Sequence, residues 1–141
     1  MSKKITGGPG GAACKNGKEP DASMMLGVSS YSFSKYMRDT GANYFTVCDL
    51  AKKMGYDAIE FIDLNLEVQP AESVEALAKA IKAHCDEIGL PIAAYTIGAD
   101  FLNRENEVAR VKGMVDVAAL LGAKVLRHDG CWSLKEGMTW R

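Results

Sequence analysis

Three segments, KKMGYDAIEF, DEIGLPIAAY and ALLGAKVLRH, each set a glycine between a helical pattern and a short apolar run. The glycines are Gly55, Gly89 and Gly122, spaced 34 and then 33 residues apart. A unit of that length has room for one helix and one strand, and repeating it in this order produces right-handed βαβ crossovers and a parallel sheet. The pattern predicts strands at 26–33 (LGVSSYSF), 57–63 (DAIEFID), 91–97 (PIAAYTI) and 124–128 (KVLRH). Between them, helical spacing runs from Asn43 to Met54 through Val47, Leu50, Ala51 and Met54. It returns from Ser73 to Ile88 through Val74, Leu77, Ile81, Cys85 and Ile88, and from Asn103 to Leu121 through Val108, Val111, Val115 and Ala118. Asn43 is placed to cap the first of these helices, and Gly89 to stop the second. The expected fold class is α/β, with about four parallel strands and three to four helices. It closes either toward a β/α barrel or as an open doubly wound sheet.

Residues 1–23 differ from the rest. They hold five Gly and two Pro and almost no large apolar residue, so they bury too little surface to offset ordering, and a disordered leader is expected ahead of a domain spanning 24–141. The GGPGG within the leader neither follows a strand nor opens a helix, so it lacks the context of a phosphate-cradling loop. With 17 Lys+Arg against 18 Asp+Glu and no basic run, there is no electrostatic footprint for nucleic acid or an anionic membrane. No apolar window is long enough to span a bilayer, and the Met1 end lacks the apolar stretch of a secretory signal, so a cytoplasmic location is expected. The four cysteines, at 14, 48, 85 and 131, form no Cys-x-x-Cys pair, and Cys48 and Cys85 fall on apolar helical stripes. Buried, reduced thiols are expected there, without disulfides.

Strand chemistry bears on the closure. The fifth residue after each repeat glycine is Glu60, Ala94 and Arg127, and the sixth is Phe61, Tyr95 and His128. Alternation sends the two sets to opposite faces. Two charges fare badly under a layer of helices, so the Glu60–Arg127 phase is assigned to a lumen or crevice. A barrel layer shared by alternate strands would then bring Glu60 and Arg127 together, across the small Ala94, as an ion pair or as joint substrate contacts. His128, at a strand tip beside Asp129 and Gly130, is of the residue type suited to proton transfer or to hydrogen bonding with hydroxyls. Tyr31 and Phe33 at the end of the first strand, and Trp132 after the fourth, offer aromatic faces for a sugar ring or else pack the rim. His84 is read as a partly exposed helix residue, and Asp63 and Asp100 as solvated or capping. Ser29, Ser30, Ser32 and Ser34 lack the Gly-x-Ser-x-Gly elbow of a serine hydrolase.

LGVSSYSF, DLAKKMGYDAIEFID, LPIAAYTIG and AALLGAKVLRHDG together resemble the first half of the sugar phosphate isomerase/epimerase group, the xylose isomerase-like TIM barrels, over roughly residues 25 to 141. The resemblance implies a partial TIM barrel and a sugar, sugar phosphate or cyclitol as substrate. It also implies metal-assisted proton transfer next to a carbonyl, with the divalent metal held by carboxylates and a histidine on later strands that this chain does not contain. It gives His128 the catalytic end of the fourth strand and makes Glu60, Arg127, Tyr31 and Trp132 substrate contacts that orient hydroxyls. An eight-unit barrel takes about 250 residues, so 141 suggest an N-terminal half, inactive alone, whose open sheet edges invite self-association. The alternatives are a non-catalytic half-barrel and a small flavodoxin-like binding module, the latter poorly matched by the glycine-poor SYSFSKYMRDTG.

Overall fold

The computed structural model describes residues 24–140. The expected leader, 1–23, lies outside them. Strands β1 (Gly27–Ser29), β2 (Ala58–Ile62), β3 (Ile92–Ile97) and β4 (Leu126–His128) form one sheet in the order β1-β2-β3-β4, every neighbouring pair parallel. Helices α1 (Ser34–Thr40), α2 (Tyr44–Lys53), α3 (Val74–Glu87) and α4 (Glu107–Leu121) complete the alternation. Right-handed crossovers between strands adjacent in both sequence and space leave the helices on one face. There Ile59, Phe61, Tyr95 and Ile97 meet Val47, Leu77, Ile81, Val117 and Leu121 in a single core cluster, each at most 1% exposed.

Local chemistry sets the boundaries. Asn43 Oδ1 accepts the Thr46 N–H at 3.0 Å, and Ser73 Oγ accepts the Ala76 N–H at 3.2 Å, so α2 and α3 begin where side-chain caps are available. Gly55, Gly89 and Gly122 have φ of 88°, 64° and 71°, the left-handed conformation that lets each helix turn back into the next strand without Cβ strain.

Several expectations need correction. The predicted strand at 26–33 ends at Ser29, and Ser30–Phe33 form a 3-10 turn leading into α1, a helix that the apolar pattern does not predict. Its serines bond locally: Ser29 Oγ accepts the Tyr31 N–H, and the Ser34 hydroxyl donates to the Tyr31 carbonyl, which favours a turn over a ladder. Helix α4 starts at Glu107 rather than Asn103, because Asp100 binds Asn103 and Asn106 turns left-handed with φ 58°. Its buried stripe is Val111, Val117, Ala118 and Leu121, while Val108 and Val115 are exposed. Met54, placed on the apolar face of α2, is likewise exposed; Cys48 fills that face instead.

Candidate functional site

In a parallel sheet the loops leaving the strand C-termini converge at one end, where ligands of such folds bind. Here those loops run 30–43, 63–73, 98–106 and 129–140. Between the first two lies a cleft of about 460 Å³ whose wall includes Tyr31, Arg38, Tyr44, Ile62, Asp63 and Glu67. That volume falls in the range of about 300–1,000 Å³ common to small-molecule sites. Tyr44, at the start of α2, braces it: its phenol oxygen accepts the Asn65 N–H at 2.9 Å, its own N–H donates to Gln69 Oε1 at 3.1 Å, and its ring meets Phe61 edge-on at 5.8 Å. Burial pushes the Tyr44 phenol above its ordinary range, so it stays neutral.

Asp63 joins this cleft to the rest of the rim. Its N–H donates to the Thr96 carbonyl, its carboxylate accepts the Gly98 N–H at 3.0 Å, and its φ of 31° is strained for a residue with a side chain. A Cβ added at Gly98 would meet Trp132 Cζ2 at 3.1 Å and Asp63 Oδ2 at 3.4 Å. Glycine at 98 therefore lets the carboxylate and the indole approach each other, and Tyr31, Asp63, Gly98 and Trp132 mark out a continuous rim across all four strands.

The β3–β4 end of this rim is filled. Glu107 is 3% exposed, and its carboxylate takes two bonds from the Arg110 guanidinium, each 2.8 Å, and one from the Asp100 N–H, also 2.8 Å. Hydrogen bonding to Arg110 holds the Glu107 carboxyl down at about 2. Arg110 also donates to the Gly98 carbonyl. The Asn103 amide binds Asp100 and the Ser133 carbonyl, while the Arg104 guanidinium lies over the Trp132 ring, 4.2 Å from its centroid. Among the described residues, no buried side-chain N or O lacks a partner.

Glu60 lies beside Ala94 and Arg127 beside Thr96, so the two charges share the sheet face turned away from the helices, as expected. They do not pair. The pairing of β4 on β3 puts Arg127 level with Thr96, two residues beyond Ala94, which is itself level with Glu60. Glu60 instead accepts a 2.5 Å bond from the Thr96 hydroxyl, and Arg127 binds Asp129 at 3.0 Å. His128 is level with Ile97 and belongs to the opposite alternation from Arg127. Its Nδ1 donates to the Asp129 carbonyl at 2.8 Å, and Phe101 packs against the ring edge-on at 5.4 Å. Tyr31 is exposed on the cleft; Trp132 has one face under Arg104; Phe33 is core. Asp100 does cap, through Asn103, and the partly exposed His84 pairs with Asp49 at 2.8 Å. Spacing and strand alternation did not single out Arg38, Glu67, Glu107 or Arg110. Of these, only Glu107 and Arg110 leave a signal, oppositely charged residues three apart at the start of a helix.

A family model described as xylose isomerase-like TIM barrel matches residues 48–139, from within α2 to beyond β4. The chain belongs to the xylose isomerase-like TIM barrel family. No curated protein matches it. Membership accounts for the strand order and for the placement of the rim at the strand C-termini. Families of this fold are often metal-dependent, yet among the described residues no three His, Cys, Asp or Glu side chains converge as a metal site requires. Nor is any described helix long and apolar enough to cross a membrane.

Proposed function

We propose that this xylose isomerase-like barrel chain binds a sugar, sugar phosphate or cyclitol along its rim and serves an isomerase or epimerase reaction, in which a proton moves between carbons next to a carbonyl. The supporting observation is the cleft, where two carboxylates (Asp63, Glu67), a guanidinium (Arg38) and an exposed aromatic (Tyr31) face one space of monosaccharide scale. Carboxylates accept from hydroxyls, the guanidinium donates to hydroxyl or phosphate oxygen, and Tyr31 covers the ring's apolar face. Glu60 and Arg127, on the sheet face turned away from the helices, extend the same role along the strand ends by orienting further hydroxyls. A divalent metal in such a reaction polarises oxygen; the described residues do not form a set that fits one.

Saturation-transfer NMR of the full chain with a panel of aldoses, ketoses, their phosphates and cyclitols tests the binding. Incorporation of solvent deuterium next to the carbonyl tests the chemistry. Binding by at least one class is expected, weakened about tenfold in Tyr31→Ala, the scale of one aromatic contact. No binding by any of them at millimolar concentration overturns the proposal.

A second reading rests on the sheet. Strands β1 and β4 each pair on one side only, and Leu26 and Val125 at those edges are exposed, so we propose that two copies of the chain associate through these edges. Light scattering coupled to size exclusion is expected to give a dimer; a monomer at all concentrations removes this reading.

A further inference from the structure

We propose that Cys48 and Cys85 form an oxidisable dithiol that a hydroperoxide converts into a disulfide stapling α2 to α3. The two residues are 37 apart in sequence, sit on the facing buried stripes of the two helices, and are 0% and 1% exposed. Their sulfurs are 3.5 Å apart, in van der Waals contact. A disulfide of about 2.0 Å then requires a closing movement of roughly 1.5 Å, which small rotations of two unbranched side chains supply.

The surroundings hold that approach in register. Asp49, next to Cys48, binds His84, next to Cys85, at 2.8 Å; Phe45 stacks on the His84 ring at 4.8 Å; and Lys52 donates to the Gly89 carbonyl at 2.8 Å. Three cross-links therefore fix the same pair of helices around the thiols. Either thiol can donate the sulfur–sulfur hydrogen bond, so either can be the sulfur oxidised first.

In the first step one of the two sulfurs, as thiolate, attacks the hydroperoxide. The O–O bond breaks, the alcohol or water leaves with a proton, and that cysteine becomes a sulfenic acid. In the second, the other sulfur attacks the sulfenic sulfur, the S–S bond forms, and the hydroxyl leaves as water with the second thiol's proton. Two thiols and one hydroperoxide thus give one disulfide, one alcohol (or water) and one water, with oxygen reduced and sulfur oxidised by two electrons.

The test uses the full chain carrying Cys14→Ser and Cys131→Ser, so that only the two core thiols remain, with hydrogen peroxide as the probe. The expected result is loss of both thiols in a denaturing titration, a mass lower by two hydrogens, a monomer on a non-reducing gel, and full reversal by dithiothreitol. Persistence of both thiols, a sulfinic acid at either residue, or a disulfide between chains overturns the proposal. Peptide mapping of the oxidised unsubstituted chain tests the linkage without any substitution: a Cys48–Cys85 linked peptide supports the proposal, and its absence overturns it.

Discussion

The two ends of the rim occupy equivalent positions, beyond the C-termini of parallel strands, yet they are built in opposite ways. Over β1–β2, charged and aromatic groups surround open space: Arg38 lies 3.9 Å from Asp39, its neighbour on the same helix, and Tyr31 stands exposed. Over β3–β4, Glu107, Arg110, Asp100, Asn103, Arg104 and Trp132 satisfy one another and fill the equivalent volume. The shared topology therefore supplies a place for a site, and the loop composition decides whether that place is left open. A guanidinium within reach of a buried carboxylate closes it; one beside a solvated neighbour on its own helix does not.

The largest expected effect lies beneath the open end. Phe61, fully buried and edge-on to Tyr44, supports the cleft wall, and Phe61→Ala should lower unfolding free energy by about 3–5 kcal/mol in urea titration. A loss below about 1 kcal/mol would show that the cleft does not depend on this core. At the closed end, pH is the sharper probe. The Glu107 carboxyl lies at about 2, against an ordinary 4.5, so its contribution is fully present above 4.5 and is lost as pH falls toward 2. In thermal unfolding, Glu107→Gln should melt below the unsubstituted chain at pH 7, with the gap closing as pH drops through that window; a gap independent of pH would mean that the carboxylate's charge is not what seals this end. The smallest effect belongs to the junction. A methyl group at Gly98 must displace Trp132 or Asp63, so Gly98→Ala should cost on the order of 1 kcal/mol and shift the Trp132 emission. Unchanged fluorescence would indicate that the two ends are not in contact through this residue.

The closed end was the less legible in sequence, for a physical reason. Repeat glycines, caps and apolar stripes act within a few residues, so β2, α2, α3 and β3 followed from spacing almost to the residue. Glu107 and Arg110 form a local pair, but their partners Asp100 and Gly98 depend on how the chain folds back after β3. Glu60 and Arg127 illustrate the same limit: alternation placed both on the correct face, whereas the stagger of β4 on β3 that separates them is a property of strand pairing. Helix α1 escaped because SYSF has the composition of a strand, and only the serine hydrogen bonds turn it. Arg38, which lines the cleft together with Asp63, stands on the helix that this turn leads into.

The sheet order β1-β2-β3-β4 has a consequence for how the molecule is made. Among the described strands, β2, β3 and β4 each pair with the one synthesised just before, as Ala58 with Gly27, so none of these three pairings waits for a distant segment to leave the ribosome. Every closure spans one repeat, and the chain-entropy cost of adding a unit is nearly the same each time. Assembly can proceed from the N-terminus in equal steps, with each helix covering its strands before the next pair emerges, and the interval during which an apolar sheet face is bare is kept to the time needed to translate about one repeat.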